Sequence, residues 1–224
     1  MSGNHEFSVF FDDERRKHLL HGVFESYYRA TTGKVAFDTN RSWTGKMPLV
    51  AQLFPAARVI CCVREIPWII DSLERLLNKH PLQLSRILNF APSTSIYARI
   101  DMLMNSENGL IGQAWATLRE AWFGEHARRL IVISYESLTR NPGKVIGRLY
   151  EELQEPPFNH DFEHVDYEEP EFDRQLGTPG LHTVRGRVEY AERRTCLPPD
   201  IAIKHSDLNF WTRPELNLKG VTML

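Results

Sequence analysis

Residues 54–72 decide the fold, and they read FPAARVICCVREIPWIIDS. Positions 58–63 form an apolar run between turn-forming residues, which is typical of a parallel strand covered by helices on both faces. Pro67 follows at a place that suits the first turn of a helix, where its missing N–H costs no hydrogen bond. The sequence therefore predicts a central parallel strand that leads directly into a helix.

Helix and strand patterns alternate on both sides of this stretch. Apolar residues at helical spacing predict helices over 12–29, 48–54 and 142–153, and two helical pieces between 92 and 122. Short apolar runs predict strands over 34–38 and 130–133. Such alternation implies right-handed crossovers and a mostly parallel sheet, with ligands bound at the carboxyl ends of its strands. We expect one α/β domain over residues 1–224, with an irregular tail from about 212.

Composition excludes several classes of protein. The net charge is −2 and the pI about 6.5, so no overall field would attract nucleic acid or an anionic membrane. The start lacks a signal-peptide pattern, and no stretch is apolar enough to cross a membrane. Two of the three cysteines, Cys61 and Cys62, are adjacent in an apolar run. They predict buried free thiols and a cytoplasmic setting rather than a disulfide framework.

Two polar side chains at the strand–helix junction predict an anion site. Arg64 ends the strand and Ser72 follows in the early turns of the helix, eight residues later. A guanidinium can donate two parallel hydrogen bonds to a phosphate, and a hydroxyl near the positive end of a helix can add a third. The alternative is that Arg64 pairs with Glu65 or Asp71 at the surface.

The order of four such pieces resembles the sulfotransferase family. The first is the 54–72 stretch, with its strand, Arg, nearby Pro and Ser. The others are DTNRSW at 38–43, ISYESL at 133–138 followed by Asn141-Pro142, and LHTVRGR at 181–187. The resemblance can be followed over about residues 5 to 211. It implies a three-layer fold like that of P-loop NTPases.

The resemblance also implies a donor and roles for residues. The donor would be 3′-phosphoadenosine 5′-phosphosulfate (PAPS), with 3′,5′-adenosine bisphosphate as product and no metal. Arg64 and Ser72 would hold the 3′-phosphate, Tyr135 would lie near the adenosine, and Arg185 and Arg187 would belong to a basic loop that closes over the phosphate. The residues alone leave alternatives: Tyr135 as an anchor against the core, and the two arginines as solvated charges around Gly186.

Sulfuryl transfer to a hydroxyl or amine acceptor needs a base and fixed positive donors. Asp38 and His182 are the candidate bases, and Asp38 could equally cap the end of a strand. Arg41 lies where related enzymes carry a basic residue near the transferred group. His160 and His164 are four residues apart, but the sequence offers no evident third ligand, so we expect a solvated segment rather than a metal site.

One family feature is missing from the pattern. The family begins with a strand and a loop resembling Gly/Pro-Arg-Ser-Gly-Ser/Thr-Thr, which holds the 5′-phosphosulfate, and nothing similar precedes Arg64. We therefore expect an N-terminally truncated fold with little activity on its own, and exposed edges that favour a homodimer. The alternatives are an inactive remnant or fragment that only binds 3′-phosphoadenosine, an interaction module, and a nucleotide kinase relative. The kinase alternative lacks a visible phosphate loop and magnesium carboxylates.

Overall fold

A computed structural model describes residues 10–31, 33, 35–92, 95–184 and 186–224. Three strands run through the described chain: β1 (Val59–Val63), β2 (Leu130–Ser134) and β3 (Thr222–Met223). The helices in the described residues are α1 (Asp13–Tyr27), α2 (Met47–Leu53), α3 (Ile66–Lys79), α4 (Ile96–Leu103), α5 (Leu110–Phe123), α6 (Tyr135–Arg140), α7 (Pro142–Leu153), α8 (Pro170–Gln175) and α9 (Pro199–Ser206).

The strands form one parallel sheet in the order β1-β2-β3. The register pairs Val59 with Leu130 at one end and Val63 with Ser134 at the other, so β1 and β2 end at the same edge. Both strands lead almost directly into helices, α3 after β1 and α6 after β2. The residues that follow these two strands are therefore neighbours in space.

Helices cover both faces of the sheet, as the sequence predicts. Alternate residues of β2 point to opposite sides, as in any strand. Leu130 and Val132 pack into the larger core, which contains residues of α2, α3, α4, α5 and α9. Ile131 and Ile133 pack against α6 and α7 in a smaller core. In the part of the chain that the structure describes, no helix is both long and apolar enough to cross a membrane.

The predicted central position of β1 is wrong. In the described chain β2 is the middle strand and β1 lies at the edge of the sheet. Cys62 is therefore exposed and Cys61 is half-buried, although both were expected inside, and both thiols are free. An apolar run predicts that a strand exists, but the order of strands depends on pairings between distant parts of the chain.

The strand predicted over 34–38 is not formed by its described residues, 35–38, and Lys34 lies outside the described part. Val35 and Phe37 are exposed, so the segment has neither a covering layer nor a pairing partner there. Asp38 instead accepts hydrogen bonds from the side chains of Tyr28 and Trp43. These contacts hold the segment as a loop beside the end of α1.

The tail predicted to be irregular from about 212 contains a short strand. Residues 222–223 pair in parallel with β2. The indole N–H of Trp122 donates to the Leu216 carbonyl at 2.9 Å. The indole N–H of Trp115 donates to the Leu208 carbonyl at 2.8 Å. Trp122 therefore fixes the tail against the core and Trp115 fixes the residues just before it, a long-range effect that local composition does not reveal.

His205 on α9 is a buried titratable group, from which we expect a pH dependence of stability. Both of its ring nitrogens are buried without a hydrogen-bond partner among the described residues. Burial lowers the pKa of His205, with a further lowering from Lys204 and an opposing effect of Asp101. The neutral ring therefore stabilises the fold above the ordinary pKa of 6.5, and this stability is lost as pH falls through the lowered folded-state value.

We expect His205→Leu to reduce the loss of unfolding free energy below pH 6.5. Because only one titrating group is removed, the slopes of unfolding free energy against pH in variant and wild type can differ by at most about 1.4 kcal/mol per pH unit. Urea unfolding at pH 7, 6 and 5 would measure it. Parallel losses in wild type and variant would show that His205 does not cause the acid sensitivity.

Candidate anion-binding site

The site begins where β1 and β2 end side by side. Arg64 follows the last residue of β1, and Tyr135 follows the last residue of β2. The Arg64 Cζ lies 4.1 Å from the centroid of the Tyr135 ring and 5.8 Å from that of Trp68. Two aromatic rings thus hold one guanidinium at the carboxyl edge of the sheet, where the sequence predicts a ligand.

Arg64 has a hydrogen-bond donor that no described residue uses. Its Nε is buried and has no hydrogen-bond partner among the described residues. No ion pair joins it to Glu65 or Asp71 in the described structure, so the surface pairing weighed as an alternative does not form; Asp71 pairs with Arg75 and Arg193 instead. A buried donor without an acceptor is costly. The arrangement suits an anionic group that would supply the acceptor.

Ser72 lies in the second turn of α3 and brings a second guanidinium to the site. Its hydroxyl donates to the Trp68 carbonyl at 2.9 Å and accepts from Arg193 Nη2 at 2.6 Å. The Arg193 Cζ is 5.9 Å from the Trp68 ring, which Arg64 also contacts. Trp68 therefore links the two guanidiniums, with the Ser72 hydroxyl beside one of them.

Sequence reasoning missed Arg193. The residue lies in a polar stretch without regular structure between 187 and 198. The available signal was the pair Arg193-Arg194 shortly before Pro198, yet two adjacent arginines are common on surfaces. Arg193 is distinguished by long-range contacts, with Ser72, which is 121 residues away in sequence, and with Asp71.

The structure does not bring the predicted late basic loop to Arg64 in any described contact. Arg187 pairs with Glu189, with its Nη2 2.7 Å from the carboxylate, and its side chain is mostly exposed. Arg185 lies outside the described residues. The roles proposed for both arginines at the 3′-phosphate therefore stay predictions.

Asp38 and Arg41 lie in the loop that follows α1. Asp38 accepts from the Tyr28 hydroxyl and, at 2.7 Å, from the Trp43 indole N–H. The hydrogen bond to Asp38 is the main cause that raises the pKa of Tyr28 to about 12. Arg41 is exposed in the turn between Asp38 and Trp43. Each oxygen of Asp38 thus already accepts one hydrogen bond.

His182 forms a tight pair with a buried carboxylate. Its Nδ1 is 2.5 Å from Asp173 Oδ1, and its backbone N–H donates to Asp173 Oδ2 at 2.9 Å. Burial alone would raise the pKa of Asp173, but the hydrogen bonds and charge of His182 outweigh it and lower the pKa. An ionised carboxylate only accepts, so Nδ1 must donate. In the neutral ring the lone pair then lies on Nε2.

His160 and His164 do not share a ligand in the described structure. His160 Nε2 lies 2.9 Å from the Tyr150 hydroxyl, whereas His164 Nδ1 lies 3.0 Å from Asp161. No group of three or more potential metal ligands occurs in the described parts of the chain.

A comparison with models of protein families matches residues 5–160 to the sulfotransferase family. The chain belongs to the sulfotransferase family. The match spans Arg64, Ser72 and Tyr135 but ends before His182 and Arg193. Comparisons with curated proteins and with solved structures give no match. Membership supports a sulfotransfer function and implies a fold like that of P-loop NTPases, in agreement with the parallel sheet between helices.

Proposed function

We propose that this sulfotransferase-family protein binds PAPS and transfers its sulfuryl group to a hydroxyl or amine of an acceptor. The observation that carries the proposal is the buried Arg64 Nε, which has no acceptor among the described residues and belongs to a guanidinium next to the Tyr135 and Trp68 rings. A nucleotide with a 3′-phosphate would satisfy this donor. Family membership favours such a nucleotide over other phosphates.

The cluster of Arg64, Ser72 and Arg193 fits a phosphate monoester, which carries about two negative charges at neutral pH. Two guanidiniums match this charge and can each form charge-assisted hydrogen bonds. The Ser72 hydrogen, now bonded to the Trp68 carbonyl, can turn toward a phosphate oxygen. Tyr135 offers its ring beside the same position, which suits contact with the adenosine.

The bound donor would supply an activated sulfuryl group, and the protein would supply a base for the acceptor. Of the two predicted bases, His182 is the better proposal. Asp173 fixes its ring and leaves Nε2 to accept a proton, and the imidazolium formed would be stabilised by the buried carboxylate. Asp38 already accepts two hydrogen bonds, and Arg41 remains the proposed basic group near the transferred sulfuryl.

The main alternative is a protein that binds 3′-phosphoadenosine without transferring sulfate. It is favoured by the location of the described cationic side chains. Arg64 and Arg193 both contact the Trp68 ring, and Arg193 also contacts Ser72, where the proposed 3′-phosphate would lie. The two candidates share the 3′-phosphate site and differ only in turnover.

Transfer of labelled sulfate from PAPS to phenols, alcohols and amines tests the proposed activity. A sulfotransferase should give product with at least one acceptor class, and the product should depend on PAPS. Binding of 3′,5′-adenosine bisphosphate with no transfer to any acceptor would favour the binding protein. The absence of both would contradict the proposed function.

Ser72→Ala should weaken binding of 3′,5′-adenosine bisphosphate by about 1 kcal/mol, because it removes one neutral hydroxyl contact. Ser137→Ala is a suitable control, since Ser137 Oγ contacts the Ser134 hydroxyl at 2.9 Å at the start of α6. Isothermal titration calorimetry on both variants would measure the difference. A Ser72→Ala protein with wild-type affinity would remove Ser72 from the site.

A further inference from the structure

Asp71 is a buried charge in the helix that carries Ser72. Its side chain is 0% exposed, and it precedes Ser72 directly in α3. Burying a carboxylate costs much free energy unless charged and polar groups surround it. Four donors surround this one, and three of them come from residues 193–196 in the distant stretch that contains Arg193.

The two oxygens of Asp71 have different partners. Oδ1 accepts from the Thr195 hydroxyl at 3.0 Å and from the Cys196 backbone N–H at 2.6 Å. Oδ2 accepts from Arg75 Nε at 2.9 Å and lies 2.8 Å from Arg193 Nη2. One oxygen thus fixes the backbone of the distant stretch, while the other fixes its arginine side chain.

The same nitrogen of Arg193 contacts both Asp71 and Ser72. Nη2 lies 2.8 Å from the carboxylate and 2.6 Å from the Ser72 hydroxyl. A long side chain on a stretch without regular structure would otherwise lose rotamer freedom on binding a ligand, which weakens binding. Because Asp71 already holds the Arg193 side chain in the folded protein, this entropy is lost on folding and not on ligand binding.

The negative charge of Asp71 neutralises only part of the positive charge of the arginines in the site. Arg75 and Arg193 both pair with this one carboxylate, which leaves one excess positive charge, and Arg64, which contacts the same Trp68 ring as Arg193, adds a second. Arg75 also donates to the Arg194 carbonyl and so ties the same stretch to α3. The excess charge favours a dianionic phosphate monoester over a neutral sugar hydroxyl at this position.

We propose that Asp71 is a positioning residue that holds Arg193 at Ser72 and thereby sets the selectivity for nucleotides that carry a 3′-phosphate. The inference rests on the proposed function, because it assigns the Arg64–Ser72–Arg193 cluster to that phosphate. Asp71 itself does not contact the ligand.

The test compares Asp71→Asn with Glu74→Gln. Asparagine keeps one carbonyl oxygen for Thr195 and Cys196 but places an amide where the two arginines need an acceptor. Glu74 is the matched control, since it is also 0% exposed on α3 and binds an arginine, Arg99 of α4, through Nε at 2.9 Å and Nη2 at 2.7 Å. Both substitutions remove a buried charge from the same helix.

Affinities for 3′,5′-adenosine bisphosphate and for 5′-AMP, which lacks the 3′-phosphate, give the selectivity ratio. We expect Asp71→Asn and Arg193→Gln each to lower the ratio about tenfold, and the double variant to lower it no further. Asp71→Glu should restore part of it. Glu74→Gln should lower the melting temperature and leave the ratio within about twofold of wild type.

The possible outcomes distinguish a failure of the proposed phosphate site from a failure of the proposed role of Asp71. If wild type binds both nucleotides equally, the proposed phosphate site fails. If wild type prefers the bisphosphate but Asp71→Asn keeps that preference, or Glu74→Gln loses it equally, only the role of Asp71 fails. Should Asp71→Asn not fold, a wild-type ratio in Arg193→Gln would still overturn the inference, since Arg193 is partly exposed and its replacement spares the core.

Discussion

Arg64→Ala is expected to weaken binding of 3′,5′-adenosine bisphosphate more than any other single substitution in the site. The guanidinium is held by Tyr135 and Trp68, and its buried Nε has no acceptor in the described protein. Loss of charge-assisted hydrogen bonds to a desolvated phosphate costs about 1.5 to 3 kcal/mol. Calorimetry should therefore show an affinity lower by roughly 10- to 150-fold.

Arg119→Ala is the matched control for this experiment. Arg119 also contacts a tryptophan, with its Cζ 5.2 Å from the Trp115 ring, but it lies on α5. It should bind the nucleotide like wild type. Equal affinities of wild type and Arg64→Ala would remove Arg64 from the site, and an equal loss in Arg119→Ala would point to a general effect of lost positive charge.

The second large effect is the loss of stability in acid through Asp71. Burial would raise the pKa of this carboxyl, but hydrogen bonds from Cys196, Arg75 and Thr195 outweigh burial and lower the pKa from 3.8 to about 2. A lowered folded-state pKa stabilises the protein at pH values above the unfolded value. That stability is lost as pH falls from about 5 toward 2.

The shift corresponds to about 2 kcal/mol, of which nearly half should be lost by pH 3. Urea unfolding at pH 7, 5, 4 and 3 would show this loss in wild type. Asp71→Asn should be less stable at pH 7 and lose less stability on acidification. Asp207→Asn controls for removal of an exposed carboxylate, since Asp207 pairs with Arg213 at the surface, where solvent screens the interaction. A wild-type acid slope in Asp71→Asn would contradict the assignment.

Local patterns predicted most of the elements. The apolar runs of β1 and β2 and the helical spacing of α1, α3, α5 and α7 depend on neighbouring residues, which a sequence displays directly. The prediction failed at residues 35–38, the described part of the expected strand over 34–38, which pair with no strand in the described chain. It also failed for the position of β1, because strand order follows from contacts between distant segments.

The candidate site was predictable in part for the same reason. Arg64 and Tyr135 each follow an apolar strand, and parallel pairing brings such residues together without further information. Arg193 was not predictable, since it reaches Ser72 from a stretch with no periodicity. Asp71 was weighed only as a surface partner for Arg64, whereas its burial depends on donors more than 120 residues away in sequence.

The central claim is that the cluster at the carboxyl edge of the sheet binds the 3′-phosphate of an adenine nucleotide. The most direct measurement is a calorimetric titration of the wild-type chain with 3′,5′-adenosine bisphosphate and, separately, with 5′-AMP. The two ligands differ only in the group that Arg64, Ser72 and Arg193 would contact, and one charge-assisted contact is already worth about tenfold in affinity. The account predicts that the bisphosphate binds at least about tenfold more tightly. Equal affinities for the two nucleotides, or binding of neither, would contradict it.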